Sequence, residues 1–272
     1  MNYIQICFQK TSAEQNELLT ALLANAGFEG FEEEDEQLKA FIKEEEFVQA
    51  DLDEIINTIP LQYQQKLIAQ QNWNAQWESS FEPVIVDDFA AVRASFHQPI
   101  TNVKHEIIIT PKMSFGTGHH ATTFLVMQQM SKLDFNEKSV FDFGTGTGLL
   151  AILSYKMGAT IIDAIDNDEW SIDNAKENIQ ANNCTDISIA LANSIDTAKQ
   201  YDIVLANINL NVLTASAGSI AKICKPNATI ILSGFFGTDV PQMQAALTMH
   251  NISIINQLQK GDWVCLRCIY SA

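Results

Sequence analysis

The residues of this chain that are best suited to chemistry surround a glycine-rich turn. The segment Phe-Asp-Phe-Gly-Thr-Gly-Thr-Gly, at 141–148, follows a short apolar run and precedes a second apolar run that favours a helix. This order predicts a strand, a tight turn and the start of a helix. Gly144, Gly146 and Gly148 lack a Cβ atom, so the backbone there can turn sharply and approach a bound molecule closely. The segment therefore predicts a ligand-binding loop.

The glycine spacing and two nearby acids indicate the kind of ligand. The dinucleotide fingerprint G-x-G-x-x-G holds a pyrophosphate, whereas this loop is G-x-G-x-G and contains no lysine. Asp142 precedes the first glycine by two residues, and a carboxylate there favours a cationic amine over a pyrophosphate. Asp166 ends the next apolar run, about where an acid reaches ribose hydroxyls in a βαβ unit. We predict that Gly144, Gly146, Asp142 and Asp166 bind S-adenosylmethionine, which carries an amine and a sulfonium.

A second unusual segment, Met-Ser-Phe-Gly-Thr-Gly-His-His-Ala-Thr-Thr, lies at 113–123. It combines hydroxyl side chains with the expected start of a helix, and together with free backbone N–H groups these suit a carboxylate such as that of the cofactor. We assign Phe115, Thr122 and Thr123 to the cofactor site. The two adjacent histidines suggest a metal, but neighbouring residues rarely converge on one ion, and no acidic partner stands at metal-ligand spacing. No metal is expected.

Asn207 follows the apolar run at 201–205. In a doubly wound sheet the carboxyl ends of the strands face the ligand crevice, so this side chain is expected beside the methyl donor. Its amide oxygen, with neighbouring backbone carbonyls, can accept a hydrogen bond from an amine N–H and aim the nitrogen lone pair at the methyl group. We predict a catalytic role and a cofactor contact for Asn207; an ordinary asparagine turn is the alternative.

The elements that must position these residues alternate between strand and helix from residue 139 onward. Strands are expected at 139–143, 160–165, 186–190, 201–206, 227–232, 250–257 and 262–269. Helices are expected at 147–157, 168–182, 209–223 and 239–248. This alternation predicts a doubly wound, mostly parallel α/β sheet of seven strands, Rossmann-like, with helices on both faces. The last two strands have no helix between them and should pair antiparallel.

Residues 1–60 predict a separate, smaller α+β domain. A strand at 2–9 is followed by Thr-Ser-Ala-Glu at 11–14, which has the form of a capping box, and by a helix to about Ala26 with Gly27 after its end. Two strands and a second helix follow, at 28–33, 37–43 and 51–58. This order is the front of a ferredoxin-like sandwich. Its loops are strongly acidic, which indicates either solvated turns or a negative recognition face.

The polar segment at 61–71 has helical spacing and is predicted to be a connecting helix. The second domain then occupies 72–272. Near its start Trp73 and Trp77 stand four residues apart, so they are expected to share one face of a helix.

The composition restricts the partners and the compartment. The net charge of −17 argues against direct nucleic-acid binding and favours a basic partner. No apolar run approaches the roughly 18 residues that span a bilayer, and the start lacks a basic signal region, so a cytoplasmic location is expected. A monomer is also expected, although no sequence feature determines the oligomeric state. The five cysteines are scattered, which is typical of reduced thiols. Cys265 and Cys268 form a C-x-x-C without a second pair, so neither zinc nor redox use is expected.

Four motifs together resemble the ribosomal protein methyltransferases of the PrmA type: F-G-T-G-H-H-A-T-T, F-D-F-G-T-G-T-G, I-D-N-D and A-N-I. The resemblance extends over nearly the whole chain. It implies a class I methyltransferase fold, S-adenosylmethionine as cofactor, and the eleventh protein of the large ribosomal subunit as substrate. It also implies up to three methyl groups on lysine side-chain and N-terminal α-amines, with the acidic domain docking the substrate.

Carried over by position, the cofactor residues of that family fall on Thr123, Gly144, Asp166 and Asn207. Ala121 departs from the family pattern, in which proline is expected, and this should make its loop slightly less rigid.

The sequence is also compatible with other functions. Methylation of a glutamine amide is disfavoured, because such enzymes usually carry Asn-Pro-Pro-Tyr here and Ile208, Asn209 and Leu210 follow Asn207 instead. Methylation of another protein or of a small-molecule amine is a second possibility, and a non-catalytic nucleoside-binding factor in ribosome assembly is a third. A nicotinamide dehydrogenase is disfavoured by the glycine spacing.

Overall fold

The computed structural model describes residues 2–34, 36–68, 82–111 and 116–271. The chain divides into two compact units, Met1–Ser80 and Phe81–Ala272. Within the described ranges, no helix combines the length and the apolar character needed to cross a lipid bilayer.

The first unit has the strand and helix order of a ferredoxin-like fold, as predicted. Its elements are β1 (Tyr3–Gln9), α1 (Ala13–Asn25), β2 (Gly30–Glu34), β3 (Gln37–Lys43), a short 3-10 turn (Glu44–Glu46), α2 (Gln49–Thr58) and β4 (Tyr63–Ile68). The strands form an antiparallel sheet in the order β2-β3-β1-β4. Strand β1 alternates in burial, so that Ile4, Ile6 and Phe8 enter the core while their neighbours face outward.

The capping box of α1 lies one residue later than predicted. The Oγ atom of Ser12 accepts a hydrogen bond from the backbone N–H of Gln15, and the Ser12 N–H donates to Oε1 of Gln15 at 2.9 Å. A glutamine at the third helical position serves as well as glutamate, because either side chain offers an acceptor oxygen. Gly27 follows the helix with a positive φ of 90°, as expected.

The prediction of a connecting helix at 61–71 was wrong. Residues Tyr63–Ile68 form β4, which pairs antiparallel with β1 from Tyr3↔Ile68 to Phe8↔Tyr63. The open edge of β1 supplies backbone partners along this whole segment, and such tertiary pairing overrides weak helical spacing. Residues 69–71 lie outside the described ranges, as do Trp73 and Trp77.

The second unit opens with a small three-stranded sheet. Its strands are β5 (Val84–Val86), β6 (Ala90–Arg93) and β7 (His105–Ile108), and the helix α3 (Ala121–Met130) follows them. Nε of Arg93 lies 2.7 Å from Oε1 of Glu106, and this hydrogen bond holds the pKa of Glu106 below its usual value. The pair links β6 to β7.

The main sheet has the predicted seven strands and four helices. They are β8 (Ser139–Phe143), α4 (Leu149–Lys156), β9 (Ile161–Asp166), α5 (Glu169–Ala181), β10 (Ile187–Leu191), β11 (Tyr201–Asn207), α6 (Leu210–Lys222), β12 (Cys224–Phe236), a 3-10 turn (Gly237–Asp239), α7 (Val240–Thr248), β13 (Ile252–Lys260) and β14 (Trp263–Tyr270). The order is β10-β9-β8-β11-β12-β14-β13. The first five strands are parallel, and β14 runs antiparallel to both β12 and β13.

Apolar layers cover both faces of this sheet. Val140 packs into a core with residues of α3 and α4, whereas Phe141 and Phe143 pack into a second core with residues of α6 and α7. This alternation along β8 follows from side chains that point to opposite faces of a strand. The helices cover both faces of the sheet but leave the carboxyl ends of β8, β9 and β11 uncovered.

Candidate active site

A cleft of about 690 Å³ lies at the carboxyl ends of β8, β9 and β11. Predicted residues that line it are Thr122, Thr123, Gly144, Gly146, Asp166 and Asn207. Residues that sequence reasoning did not assign also line it, among them His120, Phe143, Leu149, Leu150, Asn167, Asn193, Ile208, Val212 and Trp263. Phe115, which was also predicted to contact the cofactor, lies outside the described residues.

The glycine loop is held by the end of β9. The backbone N–H groups of Gly144 and Thr145 both donate to the carbonyl of Ile165, at 2.9 and 3.0 Å. Gly144 has a φ of +76°, and a Cβ atom there would overlap the side chain of Ile208. A larger residue is therefore disfavoured at position 144 both by the backbone conformation and by the close approach of the Ile208 side chain.

Asp166 fixes the same loop through its carboxylate. Oδ2 accepts a hydrogen bond from the N–H of Gly146 at 2.8 Å, and Oδ1 accepts one from the N–H of Asp168 at 3.1 Å. Each carboxylate oxygen has a second acceptor site, so Asp166 can hold the loop and still receive hydrogen bonds from a ligand in the cleft.

Asp142 lies behind the loop rather than in the cleft. It is fully buried, and its Oδ2 accepts a hydrogen bond from Oγ1 of Thr145 at 2.7 Å. Burial raises the pKa of Asp142 to about 7; the Thr145 hydrogen bond opposes this rise and the charge of Asp166 adds to it. The contact between Asp142 and a cationic amine stays a prediction; what the structure shows is that the side chain supports the loop from within, through Thr145.

The burial of Asp142 predicts a pH-dependent stability. The pKa rises from about 4 in the unfolded chain to about 7 in the folded one, so the stabilising contribution is complete below about pH 4 and is lost as the pH rises to about 7. Asp142→Asn keeps an acceptor for Thr145 and removes the titration. We expect the free energy of unfolding of this variant, relative to the parent chain, to be higher at about pH 8 than at about pH 5 by on the order of 2 kcal/mol.

Denaturant unfolding at both pH values measures this difference. Asp173→Asn, at an exposed position on α5, is the control and should show no such trend. A difference between the Asp142→Asn variant and the parent chain that stays constant with pH would contradict the prediction.

Asn207, at the end of β11, contacts Thr123, in the first turn of α3, and both residues line the cleft. Nδ2 of Asn207 lies 3.2 Å from Oγ1 of Thr123, which orients the amide. Oδ1 of Asn207 is buried and has no hydrogen-bond partner among the described residues. A buried acceptor without a partner is costly unless a ligand supplies the donor. The geometry thus presents one amide oxygen for an N–H or O–H group.

The segment before α3 is fastened to the glycine loop. Oγ1 of Thr147 donates to the carbonyl of Gly116 at 2.7 Å, and Gly116 has a φ of +101°. The two histidines that follow diverge. Nε2 of His119 lies 2.7 Å from the carbonyl of Glu82, whereas Nδ1 of His120 lies 2.8 Å from Oγ1 of Thr122 at the start of α3. They therefore hold two different segments and do not converge on one point.

Trp263 contributes an aromatic wall that the sequence did not reveal. Its ring lies 4.5 Å from the ring of His120 and 4.3 Å from that of Phe236, measured between centroids. Trp263 begins β14, and β14 reaches the cleft only because it is inserted between β12 and β13. Predicting Trp263 as a cleft residue therefore requires the strand order, which no local sequence motif indicates.

These features fit a nucleoside cofactor with a charged tail. A sharp glycine turn allows close approach, a carboxylate lies at the end of the next strand, and apolar side chains lie beside them. The seven-stranded sheet with β14 antiparallel and this cleft together define a class I S-adenosylmethionine-dependent methyltransferase. A solved methyltransferase from Pyrococcus furiosus shares the fold, with a TM-score of 0.52 at 12% identity over 61% of this chain and 89% of that one.

The family model described as Ribosomal protein L11 methyltransferase (PrmA) matches residues 4–269, and the chain belongs to this family. A ribosomal protein L11 methyltransferase from Phocaeicola vulgatus is 33% identical over 279 residues, covering 99% of each chain. One from Chlorobaculum parvum is 36% identical over 280 residues, covering 97% of this chain and 95% of the other. The crystal structure of ribosomal protein L11 methylase from Lactobacillus delbrueckii subsp. bulgaricus has a TM-score of 0.66 at 25% identity, covering 71% of this chain and all of that one.

Proposed function

We propose that this enzyme transfers methyl groups from S-adenosylmethionine to ribosomal protein L11, on lysine side-chain and N-terminal α-amines, up to three on each nitrogen. The names of its relatives support the substrate. The observation that carries the chemistry is the buried Oδ1 of Asn207, which has no hydrogen-bond partner within the described part of the chain, while Nδ2 of the same amide is held by Thr123.

In the proposed mechanism the protein mainly positions two reactants. S-Adenosylmethionine, when bound, supplies a methyl group already activated by its sulfonium. The glycine loop and Asp166 hold the nucleoside, while the Oδ1 atom of Asn207 accepts a hydrogen bond from the acceptor amine and directs its lone pair. The amine must be neutral to act as a nucleophile. Desolvation within the cleft lowers the pKa of a lysine ammonium and so favours the neutral form.

The first unit is proposed to dock the substrate. Residues 1–60 contain fourteen acidic and three basic side chains, so a net charge of −11 out of the −17 of the whole chain resides there. Such a concentration of charge attracts a basic protein and raises its rate of association. We expect the rate of association with L11 to fall as the salt concentration rises, because surface charges are screened.

Purified L11 and S-adenosylmethionine, followed by intact-mass measurement and peptide mapping, test the proposal. Mass gains in steps of one methyl group, mapped to lysine side chains and the N-terminus, are the expected result. Methyl groups found on glutamine amides would overturn the proposed acceptor. Cofactor binding without any transfer to L11 would support a non-catalytic assembly factor instead.

Asp166→Ala is expected to raise the dissociation constant of S-adenosylmethionine by about 10- to 100-fold, because both the loop and the ligand lose a charged acceptor. Turnover at saturating cofactor should change less than this affinity. Calorimetric titration measures the constant, and Asp173→Ala on the exposed side of α5 is the control. An unchanged dissociation constant would remove Asp166 from the cofactor site.

A further inference from the structure

A second cavity, of about 550 Å³, lies in the first unit between the start of α1 and the residues Glu33, Glu34 and Glu36. Its lining includes the buried side chains of Thr11 and Asn16 and the carboxylates of Glu33, Glu34 and Glu36. None of these residues belongs to the methyl-transfer cleft.

Two buried polar atoms of the lining residues have no hydrogen-bond partner in the described ranges. Thr11 is 4% exposed and Asn16 is 5% exposed, and among the described residues neither Oγ1 of Thr11 nor Oδ1 of Asn16 makes a hydrogen bond. The nitrogen of the Asn16 amide is already used, because Nδ2 donates to Oε1 of Glu33 at 2.5 Å. The oxygen is therefore the unsatisfied half, and a ligand that brings N–H donors recovers the cost of leaving it unpaired.

The charged side chains that line the cavity favour binding of a cation over an anion. A helix N-terminus alone favours anions, but the capping box of Ser12 and Gln15 already uses N–H groups at the start of α1. Three glutamates line the cavity against one basic residue, Lys10. An anion would meet strong repulsion there, whereas a cation would be attracted.

The glutamates are not equally available. Glu34 is paired with Lys39 at 2.7 Å, and Glu33 holds the Asn16 amide with one oxygen. Glu36 makes no ion pair or side-chain hydrogen bond with any residue in the described part of the chain. A ligand in this cavity therefore finds the carboxylate of Glu36, the second oxygen of Glu33 and the two unpartnered oxygens as acceptors.

We propose that this cavity binds a guanidinium group, namely an arginine side chain of the basic protein that the first unit docks. The identity of the partner rests on the function proposed above. A guanidinium carries a rigid, planar fork of N–H donors, which suits several separate acceptors better than the compact ammonium of lysine. The site belongs to the first unit and contributes to affinity, not to the transfer step.

Titration of the ¹⁵N-labelled full-length chain with N-acetyl-arginine amide tests the site directly. N-Acetyl-citrulline amide, which has nearly the same shape without the charge, is the matched control ligand. Saturable shifts of the Asn16 side-chain amide with the arginine compound alone are expected. Thr11→Val and Glu36→Gln should each weaken this binding by about 5-fold or more, and Glu14→Gln, exposed on the same helix, should leave it unchanged. Equal shifts with citrulline, or none at Asn16, would overturn the proposal.

Steady-state methylation of L11 tests the partner. Glu36→Gln should raise the KM for L11 by about 5-fold while kcat and the KM for S-adenosylmethionine stay unchanged; Glu14→Gln should match the parent chain. Arginine binding with no change in the KM for L11 would refute L11 as the occupant. Arginine binding in a chain that transfers no methyl group to L11 would refute the proposed function and uphold the guanidinium site.

Discussion

Asn207→Ala is expected to lower kcat for methylation of L11 by about 100-fold or more, while the dissociation constant of S-adenosylmethionine changes only several-fold. The reason lies in the geometry of the amide. Its nitrogen is engaged by Thr123, and its buried oxygen has no partner among the described residues. Alanine removes the acceptor that orients the incoming amine but leaves the glycine loop and Asp166 in place.

Two companion variants separate orientation from simple damage. Thr123→Val removes the hydroxyl that holds the Asn207 amide and should give an intermediate loss of kcat, because the oxygen is retained but no longer fixed. Asn211→Ala, at an exposed position in α6, is the matched control and should behave like the parent chain. Single-turnover kinetics with calorimetry measure both constants. An unchanged rate for Asn207→Ala would remove this residue from the mechanism.

Gly144→Ala is expected to raise the dissociation constant of S-adenosylmethionine by about 100-fold, with an accompanying loss of activity. The added Cβ would overlap the side chain of Ile208, and the φ of +76° is unfavourable for any residue with a Cβ. Relief of the overlap must move either the glycine loop or the segment directly after Asn207. Both movements disturb the cofactor site.

Gly261→Ala supplies the matched control, because Gly261 also has a positive φ, of 61°, but a Cβ there meets nothing within 4 Å. This control should lose on the order of 1 kcal/mol of stability from backbone strain alone and keep its affinity for the cofactor. Calorimetric titration and thermal unfolding of both variants distinguish strain from overlap. Equal behaviour of the two variants in cofactor binding would show that the contact with Ile208 is unimportant.

The sheet of the second unit was predictable because its local and global signals agree. Each apolar run is bounded by turn residues, and the glycine loop stands between a strand and a helix as the fold requires. The positions of Gly144, Asp166 and Asn207 follow from one topological rule, since all three lie at carboxyl ends of parallel strands. Their common location could therefore be inferred before any coordinates.

The remaining features depend on contacts between distant segments. The strand β4 forms because it pairs with the free edge of β1. The spacing of apolar residues at 61–71 gives no indication of this pairing. Trp263 lines the cleft because of the strand order, and Asp142 is buried because Thr145 of the loop packs against its carboxyl group. The cavity of Thr11 and Asn16 likewise needs the start of α1 to be placed against Glu33, Glu34 and Glu36.

The most direct test of the central claim exposes the enzyme to all ribosomal proteins at once. Total ribosomal protein from cells lacking this enzyme is incubated with it and with S-adenosylmethionine labelled in the methyl group, and label on each protein is quantified by mass spectrometry. The expected result is label on L11, on lysine and N-terminal amines, that is lost with the Asn207→Ala variant. Label on other proteins with none on L11, or equal labelling by the variant, would contradict the proposed substrate or the role of Asn207.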